Sequence, residues 1–96
     1  MQEFRHFNDY RLPITTSMER LQMDFGGYGN VLQFGEFALV TDVNYKGQYI
    51  AAVYEFVETP GEEFSSIECR LNLINFADET FEDGGHAIEW ALKNCH

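Results

Sequence analysis

The run from residue 48 to residue 57, QYIAAVYEFV, constrains the fold more than any other stretch of this chain. Successive side chains of a strand point to opposite faces, and here both faces are apolar. One face would carry Ile50, Ala52, Tyr54 and Phe56, and the other Tyr49, Ala51 and Val53. A strand that is apolar on both faces is central in its sheet or covered twice. The run therefore predicts a central strand, and its two alanines leave room for a helix to pack closely.

Other stretches predict further strands. Residues 31–43 are strand-like, but their apolar residues change face near Gly35-Glu36, and a bulge there would restore one buried face. Residues 67–73 alternate between apolar and polar side chains, which is typical of an antiparallel strand with one wet face. Residues 2–12 predict a first strand or a docked arm that ends before Pro13. Turns are predicted at 44–47 and 59–61 from their glycine, proline and asparagine content.

Residues 15–25, TTSMERLQMDF, fit two kinds of secondary structure. Thr16 followed by Glu19 resembles a capping box, and Met18, Leu21 and Phe25 have helical spacing. However, Leu21, Met23 and Phe25 also alternate with polar residues, as in a half-buried strand. We favour the strand, because a second strand-like run begins directly after the glycine-rich cluster at 26–30. Two such runs joined by a glycine-rich loop indicate a hairpin.

A helix of up to fifteen residues is predicted from Phe81 to Cys95. Thr80 would cap it, and Glu82 and Asp83 would lie in its first turn, where the helix dipole favours anions. Its apolar stripe would consist of Phe81, Gly85, Ile88, Leu92 and Cys95, with Trp90 and Ala91 beside it. Gly84 and Gly85 each cost about 1 kcal/mol relative to alanine, so the helix alternatively begins at Gly85. Close approach to the Ala51–Ala52 region would explain why these glycines are tolerated.

Together these elements predict one α+β domain over residues 1–96. Its architecture would be an antiparallel β-meander of four to five strands with one C-terminal α-helix packed on a face. The length suits a single core, and 45% hydrophobic and 16% aromatic residues argue against disorder.

The sequence also predicts a cytoplasmic location. No run approaches the ~20 apolar residues that span a bilayer, and the N-terminal stretch lacks the apolar segment of a signal peptide. Cys69 and Cys95 do not make a disulfide framework, and both fall on apolar faces of their predicted elements. We therefore expect reduced cysteines that serve as small core residues.

The net charge of −10 is concentrated in the second half of the chain. Residues 1–48 hold six acids and four bases (−2), whereas residues 49–96 hold ten acids and two bases (−8). Nucleic acid and anionic membranes are poor partners for such a chain, because their phosphates would be repelled. A basic protein surface is the natural complement.

The candidate partner-binding residues are the carboxylates of the stretch 55–83 and one aromatic residue among them. They are Glu55, Glu58, Glu62, Glu63, Phe64, Glu68, Asp78, Glu79, Glu82 and Asp83. We expect them to lie along one end of the sheet as a continuous acidic band. The competing interpretation is a solvated acidic face with an ordinary helix start.

Catalytic, metal and cofactor sites are not predicted. The chain lacks a G-x-S-x-G elbow and a phosphate-binding loop that ends in lysine. On a helix, His86 would be separated from Cys95 and His96 by ~13–15 Å, which is too far for one metal ion. We therefore expect a protein that is not an enzyme.

The preferred functional hypothesis is an acidic binding protein that masks the basic, nucleic-acid-binding surface of a larger protein. It would act as an inhibitor or decoy, and its charges would mimic a phosphate backbone. Phage anti-defence proteins that inhibit restriction or CRISPR systems are of this general class. One alternative is an immunity protein or antitoxin that neutralises a toxic enzyme. Another is a structural module that forms a homodimer through the aromatic residues of strand 48–57.

Overall fold

The computed structural model describes residues 4–7, 10–25, 29–44, 46–60 and 67–95. Seven strands and two helices are assigned in these ranges. In chain order they are β1 (Phe4–Phe7), β2 (Tyr10–Pro13), β3 (Thr15–Thr16), α1 (Met18–Phe25), β4 (Asn30–Phe34), β5 (Phe37–Val43), β6 (Tyr49–Pro60), β7 (Ile67–Phe76) and α2 (Gly84–Lys93).

Five of the strands form one antiparallel sheet in the order β3-β7-β6-β5-β4, and β1 pairs with β2 in a separate hairpin. The strands from β4 to β7 follow one another as a meander, and β3 adds two residues beside β7. Helix α2 packs on β5 and β6. The predicted α+β fold, with a C-terminal helix on one face of an antiparallel meander, is confirmed.

Strand β6 lies at the centre of the sheet and is covered on both faces, as its apolar pattern predicts. One face joins Ile50, Ala52 and Tyr54 to Leu21 and Phe25 of α1 in a buried cluster. On the other face, Val53 packs with Ala91 of α2, and Ala51 packs with Ala87. The small side chains at these contacts let α2 lie close to the sheet.

The prediction of a strand over 15–25 is wrong. The chain makes two strand residues at Thr15–Thr16 and then forms the helix α1. Ser17 caps the N-terminus of this helix, because its Oγ accepts a hydrogen bond from the backbone N–H of Arg20 at 3.2 Å. Leu21 and Phe25, one helical turn apart, are both buried against the sheet. Helical spacing therefore prevails over the alternation, and Met23 is left 70% exposed.

The expected bulge at Gly35-Glu36 is a hairpin turn instead. Phe34 pairs with Phe37, so Gly35 and Glu36 form the two-residue loop between β4 and β5. Gly35 has φ +60°, a value that glycine adopts without the steric penalty of a Cβ. The apolar residues change parity here because one strand ends and the next begins. The second half of the glycine-rich cluster, residues 29–30, leads into β4, while residues 26–28 lie outside the described part.

Two other boundaries differ from the prediction. Thr59 and Pro60 are the last residues of β6, and Gly61 lies outside the described residues. The first segment is divided into the strands β1 and β2, so the predicted strand over 2–12 becomes a hairpin.

Helix α2 is shorter than predicted, and its stripe is different. Asp83 caps it in place of Thr80, and the buried residues are Ala87 and Ala91. Leu92 belongs to the predicted stripe, but its side chain is 42% exposed. The predicted stripe is wrong because it counts helical turns from Phe81, which lies before the first residue of the helix. A Cβ on Gly84 would make only an ordinary contact of 3.5 Å with the Tyr49 ring. Close packing against alanines therefore does not explain this glycine.

Candidate functional site

The structure does not bring the described candidate carboxylates together in one band. Tyr49, at the start of β6, pairs with Phe81, so the residues around Phe81 lie at that end of the strand. Glu58 lies nine positions further along β6. At about 3.3 Å per strand residue, Glu58 is roughly 30 Å from Tyr49, and Glu55, six positions along the strand, is roughly 20 Å from it.

The group at the far end of β6 is divided between the two faces of the sheet. Glu55 shares the α2 face with Val53 and is half-buried, and its backbone pairs with that of Asn72. Glu58 points to the opposite face and is exposed. The backbone of Glu68 pairs with Thr59 in the same region. Glu62, Glu63 and Phe64 lie outside the described residues, so their predicted role stays a prediction.

The second group lies in the connection from β7 to α2 and forms a compact feature. We call its four exposed carboxylates, Asp78, Glu79, Glu82 and Asp83, the acidic loop. Two anchors hold it against β6. The N–H of Ala77 donates to the carbonyl of Ala51 at 3.0 Å, and Phe81 exchanges two backbone hydrogen bonds of 2.9 and 3.0 Å with Tyr49. The loop is therefore fixed to the central strand just before its start and again at Phe81.

Asp83 has a structural task within the acidic loop. Its extended backbone (φ −144°, ψ 166°) makes it the N-cap of α2. One carboxylate oxygen accepts from the backbone N–H of His86 at 2.8 Å, and the other lies 3.0 Å from Nδ1 of the same histidine. The hydrogen bond from the His86 N–H, supported by the contact with its ring, lowers the pKa of Asp83. In the described part of the chain, Asp78, Glu79 and Glu82 have no ion-pair partner.

We expect Asp83→Ala to lower the urea midpoint of unfolding, because α2 loses its N-cap, whereas Asp83→Asn keeps an acceptor and should lower it less. The lowered pKa means that the charge of Asp83 stabilises the fold above its ordinary pKa of 3.8. This contribution is lost as the pH falls through the lowered value. Urea titrations of both variants at neutral and acidic pH measure the effect. Glu82→Ala is the control, and an equal loss in this variant would contradict the capping role.

Beside the acidic loop, one flank of α2 forms an open cleft of about 380 Å³. We call it the α2 cleft; its lining residues are Thr80, Phe81, Glu82, His86, Glu89, Trp90 and Lys93. Phe81 and Trp90 pack at its base against the alanine cluster of β6 and α2 and remain half-exposed. Glu82 belongs to both features, so the cleft opens beside the acidic loop.

The charges of the cleft are partly paired. Lys93 Nζ lies 2.9 Å from Glu89 Oε1, and this hydrogen bond, with the lysine's charge, lowers the pKa of Glu89. Both side chains are exposed, so the pair is easily rearranged. Aromatic faces next to carboxylates suit the side chain of an arginine or lysine, which binds a ring face through the cation–π interaction.

The α2 cleft is not predicted from the sequence. The predicted helix includes Phe81 in its apolar stripe and Trp90 beside it, whereas Phe81 precedes the observed helix and lines the cleft together with Trp90. A local signal favours the observed start, because aspartate is a preferred N-cap residue and Asp83 directly precedes Gly84. A helix that starts at Gly84 leaves Phe81 in the loop.

Within the described ranges, no group of three or more His, Cys, Asp or Glu side chains is placed to hold a metal ion. In the same part of the chain, none of the helices is long and apolar enough to cross a bilayer.

Comparison with protein-family models gives a match over residues 12–95, which is most of the chain. The matching family is described as nucleotide modification associated domain 4. This chain belongs to that family. The match includes the whole five-stranded sheet, both helices, the acidic loop and the α2 cleft. Neither the curated proteins nor the solved structures gave a match.

Proposed function

We propose that this member of the family is a non-enzymatic binding domain that docks on a basic, nucleic-acid-binding surface of a larger protein and masks it. The acidic loop and the α2 cleft form the docking site, and the partner contributes arginine and lysine side chains. The description of the family favours a partner that works in nucleotide modification. In this proposal the domain acts in the cytoplasm as an inhibitor or decoy.

The observation that carries this proposal is the position of the acidic loop beside an exposed aromatic cleft. Asp78, Glu79 and Glu82 are exposed and have no ion-pair partner in the described structure. An incoming cation therefore does not have to displace an existing salt bridge from them. Phe81 and Trp90 supply the apolar contact that charge alone does not provide, since aromatic residues dominate binding energy in protein interfaces.

The positions of the carboxylates favour a docking site at the end of the sheet where Tyr49 pairs with Phe81. The far-end carboxylates Glu55 and Glu58 point to different faces, so one flat partner surface does not contact both. The acidic loop, by contrast, presents its groups within six residues of chain that are held against β6. We therefore base the proposal on the loop and not on the whole stretch 55–83.

The proposal predicts that an arginine-rich peptide binds this chain and changes the fluorescence of Trp90, the only tryptophan. Replacing Asp78, Glu79 and Glu82 by their amides should weaken binding by roughly tenfold, because three exposed charge pairs at roughly 0.5 kcal/mol each total about 1.5 kcal/mol, and about 1.4 kcal/mol corresponds to a factor of ten. Affinity should also fall as salt rises, since exposed charges are screened. Fluorescence titrations at several salt concentrations measure both effects.

A matched control separates the site from the overall charge. Changing Glu19, Glu36 and Glu58 to glutamine also alters three exposed carboxylates, so both triple variants have a net charge of −7 (−10 + 3). The control variant should bind the peptide nearly as well as the wild type. Equal weakening in the two variants would show that only net charge matters and would reject the docking site. Once a partner protein has been isolated with this chain, the wild-type chain should compete with duplex DNA for binding to that partner.

The α2 cleft also favours a second candidate function, the binding of an uncharged nucleoside. Its volume falls in the range of small-molecule sites, and two aromatic rings are available for stacking on a base. Nucleoside binding would quench Trp90 without a dependence on salt and would be insensitive to amides at Asp78 and Glu79. The same fluorescence titration with nucleosides therefore distinguishes the two candidates.

A further inference from the structure

Strand β4 forms an open edge of the sheet. Among the described strands it pairs only with β5, in a register that runs from Asn30↔Thr41 to Phe34↔Phe37. An open edge presents unpaired backbone N–H and C=O groups, which are a template for pairing with another chain.

The backbone groups that face outward belong to Val31 and Gln33. The N–H of Phe56 donates to the carbonyl of Glu36, which flanks the pair Phe37↔Glu55, so the backbone groups of Phe37 point toward β4. Its partner Phe34 therefore directs its groups toward β5. Because this direction alternates along a strand, Leu32 also faces β5, whereas Val31 and Gln33 face the open side.

This edge lacks the usual protection against pairing. Natural edge strands carry charged residues, prolines or bulges, and β4 (NVLQF) has none of these. Leu32 is 45% exposed and Phe34 is 53% exposed, although both are large and apolar. At the opposite side of the sheet, the part of β7 that precedes its pairing with β3 carries Glu68 and Arg70.

Leu32 and Phe34 lie on the same face of the sheet as α2. Their cross-strand partners Leu39 and Phe37 belong to the cluster that packs against Ala91. On α2, Leu92 is 42% exposed and is not among the residues that line the α2 cleft. Leu32 and Phe34 thus form an exposed apolar surface at the edge of the sheet, on the face where α2 packs on β5 and β6.

We propose that β4 is a homodimer interface, in which β4 of a second copy pairs with it antiparallel about a two-fold axis at Leu32. Leu32 would lie opposite the second copy's Leu32, and Val31 opposite its Gln33. Val31 and Gln33 carry the outward-facing groups, so each of these pairs exchanges both of its hydrogen bonds. The register is self-complementary, as a two-fold interface requires.

The lack of charge on β4 favours a second copy over a basic partner as the occupant, because the strand has no carboxylate to bind a cation and matches an equally uncharged edge. Two chains with a net charge of −10 each repel one another, and a stable contact between them must lie where neither carries charge. Strand β4 has no charged residue, so antiparallel pairing places no like charges opposite one another. The paired copies would bury Leu32 and Phe34 of both chains on one face of a continuous sheet.

The two-fold axis of such a dimer is perpendicular to the sheet, so both α2 helices would lie on the same face of the continuous sheet. A dimer would therefore present two acidic loops to one side. A partner with two basic sites would bind both, and linked binding of this kind raises the overall affinity without a new contact.

Molar mass measured by light scattering over a range of concentrations tests the proposal. The wild type should approach twice the chain mass of 11.1 kDa. Leu32→Lys and Leu32→Glu should each be monomeric, because like charges would face each other across the axis. An equimolar mixture of the two variants should recover the dimer, because residue 32 of one copy then meets its opposite charge in the other.

Met23→Lys and Met23→Glu are matched controls with the same changes of charge at an apolar side chain of α1 that is 70% exposed. They should remain dimeric. Circular dichroism should show the same secondary structure in all variants. A wild type that stays monomeric up to its solubility limit would overturn the proposal. So would a mixture of Leu32 variants that stays monomeric, or Met23 variants that dissociate.

Discussion

Gly29→Ala is expected to destabilise the fold by about 3 kcal/mol or more, which is a large part of the 5–15 kcal/mol typical of a small domain. Gly29 lies between α1 and β4, where a Cβ would overlap the carbonyl oxygen of Thr41. The same Cβ would lie 2.9 Å from Cα of Asp42 and 3.0 Å from the carbonyl oxygen of Phe25. All three atoms are backbone, so no side-chain rotation relieves the clash. The packing of α1 against β5 would have to shift.

Thermal unfolding measures this effect, and a loss of 3 kcal/mol should lower the Tm by about 12 °C or more. Gly84→Ala is the matched control, because its Cβ makes an ordinary contact with Tyr49 and lies in the first turn of α2. This control should keep its stability or gain up to about 1 kcal/mol. An unchanged Tm for Gly29→Ala would contradict the close approach of Gly29 to the backbone of Thr41 and Asp42.

Tyr54→Ala is expected to cost about 3–5 kcal/mol, because it removes the largest fully buried side chain of the described core. The Tyr54 hydroxyl also donates to the carbonyl of Pro13 at 2.6 Å, which ties β2 to the central strand. Tyr54→Phe keeps the ring and leaves this carbonyl without its donor, and should cost about 1–2 kcal/mol. Urea unfolding of the two variants separates the contribution of the ring from that of the hydroxyl.

The pH dependence of stability gives an independent check on Tyr54. Burial, with a smaller effect of the Asp24 charge, raises the pKa of Tyr54 above its ordinary value of 10.0. The protonated form is therefore favoured in the folded state, and its contribution is complete below pH 10.0 and is lost as the pH rises through the raised value. Tyr54→Phe should be less sensitive to alkali than the wild type. Equal sensitivity would contradict the burial of the hydroxyl.

Strand β6 and helix α2 show why part of the fold could be predicted from sequence. Both faces of residues 48–57 are apolar, and only a central, doubly covered strand buries both. The alternation of residues 67–73 and the helical pattern after Asp83 are local and unambiguous in the same way. The α+β class follows from these three stretches.

Helix α1 shows where the pattern was insufficient. Leu21 and Phe25 fit a helix and a strand equally, because a spacing of four residues satisfies both periods. The structure forms the helix, since Leu21 and Phe25 fill the α1 face of the sheet beside Ile50 and Tyr54. A different ambiguity applies at Gly35-Glu36, where a bulge and a two-residue hairpin loop both explain why the apolar residues change face.

The sequence by itself determined the sign and amount of charge, the central strand and the presence of a C-terminal helix, because each depends on neighbouring residues or on composition alone. Only the tertiary structure decided that Glu58 and the acidic loop lie at opposite ends of β6. It also decided that Phe81 and Trp90 meet in a cleft and that β4 is an open edge. These relations join residues that are far apart in the chain, and such proximity is set by strand order and register, which no local pattern specifies.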